Sequence, residues 1–176
     1  MAILVIFFKF LAGFEKKKKR RDLDMAHPIS IENAHLIFLN FEGKKDAFNT
    51  KGERGFAIAL DPKGTLIKEL EDEGWHVKYP KERDDIDDEE DNRTPYLPVK
   101  VRTDNFPPKV ILIADDNKTI LQPEEYKMID TADIENVDLV ITPYSWEFNG
   151  KTGISAYLKS IYVTLQTDEF TKKYGI

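Results

Sequence analysis

Between Asn136 and Gln166 the chain reads N-V-D-L-V-I-T-P-Y-S-W-E-F-N-G-K-T-G-I-S-A-Y-L-K-S-I-Y-V-T-L-Q, with Tyr144, Trp146 and Phe148 recurring at every second position. Asn149-Gly150 follows them. This dipeptide favours a type I′ turn because both central residues take φ > 0, so the stretch reads as a β-hairpin. With these two as turn residues, Phe148 faces Lys151, and even positions of the first strand share a face with odd positions of the second. One face then carries Leu139, Ile141, Ile154, Ala156 and Leu158, which suits a core. The other carries Tyr144, Trp146, Phe148, Lys151, Tyr157 and Lys159, with Gly153 opposite Trp146. Rings that offer π-faces to bases, interleaved with ammonium groups that neutralise phosphates, suit an unpaired nucleic-acid strand. Aromatic residues at period two are also common in a core, but two unpaired lysines on the same face oppose full burial.

A second cluster able to meet phosphates lies upstream. The loop E-G-K-K-D-A-F-N-T-K-G-E-R-G (42–55) holds Lys44, Lys45, Lys51 and Arg54 around Phe48. By itself such a loop reads as a solvated connection. Its place in the order of elements gives it more meaning. A-H-L-I-F-L-N-F (34–41) is apolar on both parities, as a central or barrel strand is. F-A-I-A-L-D (56–61) alternates large and small apolar residues, as inward and outward positions of a small barrel do. Asp61-Pro62 opens a short helix through Leu66, Ile67 and Leu70 that Gly74 ends. W-H-V-K-Y (75–79) reads as a strand, and Y-L-P-V-K-V-R-T (96–103) as another in which Pro98 signals an edge. K-V-I-L-I-A (109–114) and T-I-L (119–121) form a second hairpin around D-D-N-K. Pro123, with Glu124 and Glu125 behind it, begins a short helix to about Thr131 that buries Tyr126 and Ile129.

This order predicts a mainly β fold: a five-stranded Greek-key OB-fold barrel with a short helix between strands 3 and 4 and an inserted helix and acidic loop. In that fold the ligand face is flanked by the first–second and fourth–fifth strand loops. Here those are the basic loop 42–55 and the Asn149-Gly150 turn, so the two clusters are expected on one side of the barrel.

Composition narrows the remaining classes. The chain has 176 residues, 41% hydrophobic and 33% charged, consistent with one globular domain. It has no cysteine, which excludes disulfide frameworks and thiolate metal sites and fits a reducing cytoplasm. Its three histidines lack ligand spacing, and its net charge is −6, so any polyanion must be met by a localised patch. No cofactor or metal is expected. Residues 1–24 read as a non-domain extension: an apolar run, M-A-I-L-V-I-F-F-K-F-L-A-G-F, precedes K-K-K-K-R-R in the reverse of a signal peptide's order. Met25 then begins an ordinary start, which suggests an over-extended reading frame, and a membrane-surface anchor is the weaker alternative. Residues 25–176 form a single domain, with a solvated acidic loop at 82–93 and a polar tail at 168–176. A calcium loop within the acidic run is disfavoured because the EF-hand glycine and terminal glutamate are missing.

The segments F-E-G-K-K-D-A-F-N-T-K-G-E-R-G-F-A-I-A-L-D, D-E-G-W-H-V-K, P-Y-L-P-V-K-V, N-F-P-P-K-V and I-E-N-V-D-L-V-I-T-P-Y-S-W-E-F-N-G-K-T-G-I-S-A-Y-L-K-S-I-Y-V-T resemble the single-stranded-DNA-binding proteins of tailed-phage replication modules. The resemblance covers roughly residues 31–166. It implies a non-catalytic OB-fold protein that coats and protects single-stranded DNA in phage replication or recombination. Single-stranded DNA is then the expected partner, with phage replication proteins as further candidates, no membrane, and homodimerisation left open. The C-terminus D-E-F-T-K-K-Y-G-I lacks the acidic recruiting tail of many such proteins. Two other classes compete. A phage structural or assembly protein would use the aromatic hairpin as a protein interface. A Mg²⁺-dependent nuclease would need Asp61, Asp115 and Asp116 together, each better placed as a cap or turn residue. No phosphate-loop, dinucleotide or nucleophile-elbow motif supports other enzymes.

Overall fold

The computed structural model describes residues 27–47, 49–81, 94–115 and 117–166. The extension 1–24, Phe48, the acidic loop 82–93, Asp116 and the tail 168–176 lie outside the described residues. The fold is mainly β. Strands β1 (Ile29–Ile31), β2 (His35–Asn40) and β3 (Gly55–Ala59) precede helix α1 (Thr65–Asp72). Strands β4 (Tyr96–Lys100), β5 (Lys109–Ala114) and β6 (Asn117–Leu121) follow, then a 3₁₀ turn η1 (Tyr126–Thr131), β7 (Ile134–Phe148) and β8 (Lys151–Leu165).

The strand order is β1-β7-β8-β4-β3-β2. Its two ends, β1 and β2, are consecutive in the chain and separated only by 32–34. Ala34 N donates to Val137 O at 2.8 Å, so the order closes on itself through one bent segment. That segment, β3, β4, β7 and β8 give the five strands of the expected Greek-key barrel. The pairing of β4 with β8 is parallel and the others on this path are antiparallel. Strands β5 and β6 are additional to the five expected. β1 is the first half of the bent strand, and β5/β6 are the second hairpin, docked parallel on the far half of β8. The helix between the third and fourth barrel strands is η1, which buries Tyr126 and Ile129 as its pattern implies. The inserted helix is α1, with Ile67 and Leu70 inward and Gly74 at φ 90° just beyond its end.

The final hairpin organises the core. Asn149 (φ 49°) and Gly150 (φ 77°) form the turn, and Phe148 pairs with Lys151 as the type I′ geometry requires. From Ile141↔Leu158 to the tip the expected register holds. Beyond it Val140 pairs with Ser160, so Lys159 is an extra residue in β8. The reason is a change of partner. The other edge of β8 pairs with β4 at Ala156 and Tyr157 and then with β5 from Ser160 to Thr164. A bulge at the handover lets Ile154, Ala156 and Leu158 face inward on one side of it and Ile161 and Val163 on the other, all buried. Lys159 is exposed at that bulge, off the regular alternation that placed it beside Tyr157.

Two local expectations are corrected. The stretch 75–79 is not a strand; it makes single bridges from Trp75 to Ile154 and from Lys78 to Tyr96. Pro98 lies in an interior strand, not at an edge, tolerated because the ladder to β8 involves only Val99 and Lys100.

Candidate nucleic-acid interface

The outward face of the hairpin is built as its alternation dictates. Phe148 is 71% and Tyr144 50% exposed, while Trp146 and Tyr157 are half-buried. Trp146 lies flat over Gly153: a Cβ there would sit 2.8 Å from Cζ2 of the indole, so the pairing needs glycine. His76 approaches the same indole edge-on at 6.5 Å. Trp75, by contrast, is a core residue whose Nε1 donates to Glu73 at 2.9 Å.

Near the middle of the face, Tyr144 and Tyr157 meet edge to face at 5.5 Å. Two cations lean on them. The Arg102 guanidinium stands 4.7 Å from the Tyr157 ring and 5.7 Å from that of Tyr144, and Lys100 Nζ is 6.0 Å from Tyr157. These are cation–π distances, each worth about 0.5–1 kcal/mol at an exposed site. They hold the charges upright beside the rings without neutralising them. Neither Lys100 nor Arg102 was among the sequence-predicted residues. The signal was present in P-V-K-V-R, where Leu97, Val99 and Val101 alternate inward and Tyr96, Pro98, Lys100 and Arg102 outward. Only the parallel pairing of Lys100 with Tyr157 joins that alternation to the hairpin.

The basic loop is built differently. Asp130 accepts from Phe41 N at 2.7 Å and Glu42 N at 2.8 Å, fixing its start. Gly43 and Gly52 cross so closely that a Cβ on either would lie 2.8 Å from the other's carbonyl oxygen. Asn49 ties the arms together, donating to Lys44 O and Glu53 O and accepting from Glu53 N. Arg54 is half-buried and donates to Pro123 O at 2.7 Å, which ties its guanidinium to the main chain. Lys44 pairs with Glu42 at 2.9 Å, and that hydrogen bond raises its pKa. Lys45 and Lys51 are exposed. The loop does reach the hairpin face, as its position in the barrel implied: Gly52 and Arg54 share a cleft of about 320 Å³ with Lys100, Arg102 and Tyr157.

Of the carboxylates weighed for metal chemistry, Asp61 and Asp115 each belong to a turn. Asp61 caps a turn, accepting from Lys63 N at 2.9 Å, and Asp115 occupies the β5–β6 turn at φ 46°. Among the described residues no group of three His, Asp or Glu side chains could hold a metal ion. Nor is any helix among them long and apolar enough to cross a membrane.

A family model of phage ssDNA-binding domains matches residues 16–176. The chain belongs to that family. Its fold is similar to that of the single-stranded DNA-binding protein from bacteriophage Enc34 in a C-terminally truncated form, with a TM-score of 0.51 at 14% identity over 82% of this chain and 89% of that one. It is also similar to the same phage protein in complex with ssDNA, with a TM-score of 0.52 at 16% identity over 83% and 90% of the two chains. No curated protein sequence matches the chain.

Proposed function

We propose that this member of the phage ssDNA-binding family coats single-stranded DNA in the host cytoplasm during phage replication or recombination, protecting it without catalysing a reaction. Single-stranded DNA is the ligand its family membership gives it. The observation that supports the location is the Tyr144–Tyr157 pair with Arg102 and Lys100 against its rings, on an exposed sheet face. Bases stack on the rings and phosphates pass the cations, a combination that tolerates any sequence. Duplex DNA has no unstacked base to offer the rings.

The chain has two tryptophans, one in the core and one on this face, so intrinsic fluorescence reads the proposed surface against a constant background. Titration with oligo-dT is expected to quench saturably, and with a log–log salt slope of roughly −0.7 per phosphate contact. Duplex of equal length is expected to bind much more weakly, and labelled oligonucleotide in Mg²⁺ to remain uncut. Equal affinity for duplex, a salt-independent affinity or cleavage would each refute the reading.

A further inference from the structure

On β2 the alternation of faces breaks. Leu36 and Leu39 both pack against the core although they are three residues apart, a spacing that a regular strand puts on opposite faces. The register shift between Ile37 and Asn40 takes up the extra residue, with Phe38 at φ 54°. A bulky side chain rarely adopts this left-handed conformation. The bulge turns Phe38 out of the core, leaving it 70% exposed, its ring edge-on to Tyr96 at 5.4 Å. Bulges re-aim side chains in this way beside functional sites. Core packing gives no reason for a large apolar ring held in solvent by an unfavourable backbone angle.

The surroundings give one. The outward positions of β3 are Gly55, Ala57 and Ala59, in register with Lys100, Pro98 and Tyr96. No side chain there extends beyond a methyl group, so Phe38 on β2 and Tyr96 on β4 can meet edge to face across β3, where Ala57 is buried. Both rings line a cleft of about 620 Å³, with the exposed Lys78 and Lys100 at its border. Asp46 and Glu53 at its loop end oppose phosphate there and favour a path along β4. Lys100 belongs to both places, since it also stands against Tyr157.

We infer that the exposed ring of Phe38, braced edge-on by Tyr96, is a second nucleobase-stacking site for the same strand. Tyr96 lies about 13 Å along β4 from Lys100, at four residues of about 3.3 Å each. Phosphates between the two sites meet Lys100 and Lys78. The inference rests on the single-stranded-DNA reading of the hairpin face and adds a length requirement to it: an oligonucleotide must bridge both platforms to bind at full strength.

The test is equilibrium binding of the full chain to oligo-dT from about four to sixteen nucleotides, the range OB folds occupy. Affinity is expected to rise in a step once the strand reaches the second site. Phe38→Ala should remove the step, a loss of roughly 5- to 100-fold for long oligonucleotides, the equivalent of one stacked base, and leave the shortest ones unchanged. Phe38→Gly deletes the ring while suiting the positive φ, so it should match Phe38→Ala in binding without loss of thermal stability; Phe38→Trp should keep the step. A smooth length dependence in the parent chain, or a loss in the variants that is absent or equal at every length, would overturn the second site. Failure of the parent chain to bind any length would instead overturn the reading on which it rests.

Discussion

The hairpin face and the basic loop 42–54 carry similar residue types and border the same cleft, yet the fold uses their cations in opposite ways. On the hairpin side, Arg102 and Lys100 rest on ring faces, contacts that orient a cation and leave its charge available. In the loop, Arg54 donates to a backbone carbonyl and Lys44 pairs with a carboxylate, while Asn49 and two crossed glycines shape the main chain. A count of lysines and arginines therefore misjudges a surface. What the cation already touches decides whether a phosphate can have it.

The largest expected effect lies inside the hairpin. Leu158 is buried next to the bulge, and Leu158→Ala should destabilise the fold by about 2–5 kcal/mol in denaturant unfolding, leaving the affinity of the folded fraction nearly intact. Were it to weaken binding without loss of stability, the two faces would be inverted.

Next comes the contrast between the regions. Tyr144→Ala should cost about 1–3 kcal/mol of oligo-dT binding and little stability, because half of its surface is in solvent. Arg54→Gln should do the reverse, losing about 1–3 kcal/mol of stability by leaving Pro123 O without its charged donor, with a small change in affinity. If Arg54→Gln proves the worse binder of the two at equal stability, the loop is the primary contact and the comparison fails. Smaller still, Arg102→Gln should flatten the salt slope by somewhat under one unit, about the 0.7 of a single phosphate contact, and Lys44→Gln should barely move it.

The smallest effect is on pH. Burial raises the pKa of Tyr126, whose hydroxyl donates to Pro108 O at 2.5 Å. The native state then holds this proton more tightly than the unfolded chain does. Its contribution is complete below the ordinary tyrosine value near 10 and is lost as pH rises through the folded value. Tyr126→Phe should flatten the alkaline limb of the stability profile above about pH 10, and an unchanged limb would contradict the assignment.

Much of this was legible in the chain itself. The Asn149-Gly150 turn, the pairing of Gly153 with Trp146 and the inward set Ile154, Ala156 and Leu158 follow from dihedral preference and period two, both local properties. The bulges at Lys159 and Phe38 were not legible, because each arises where a strand changes partners or register, and a sequence does not announce its partners. Lys100 and Arg102 were missed for the same reason: their alternation is plain, but its union with Tyr157 is a long-range parallel pairing. The small outward residues of F-A-I-A were visible as a pattern, yet they matter only once Phe38 and Tyr96 meet across them. The position of Arg54 depends on Pro123, 69 residues away.

The central claim is that DNA lies on the hairpin and β4 face. Photo-cross-linking of the full chain to halogenated oligo-dT, with the attached peptides mapped by mass spectrometry, tests it most directly. Attachment is expected at Tyr144, Trp146 and Tyr157 and in the peptide carrying Lys100 and Arg102. Adducts confined to loop 42–54, or to the β5–β6 hairpin on the far half of β8, would contradict it.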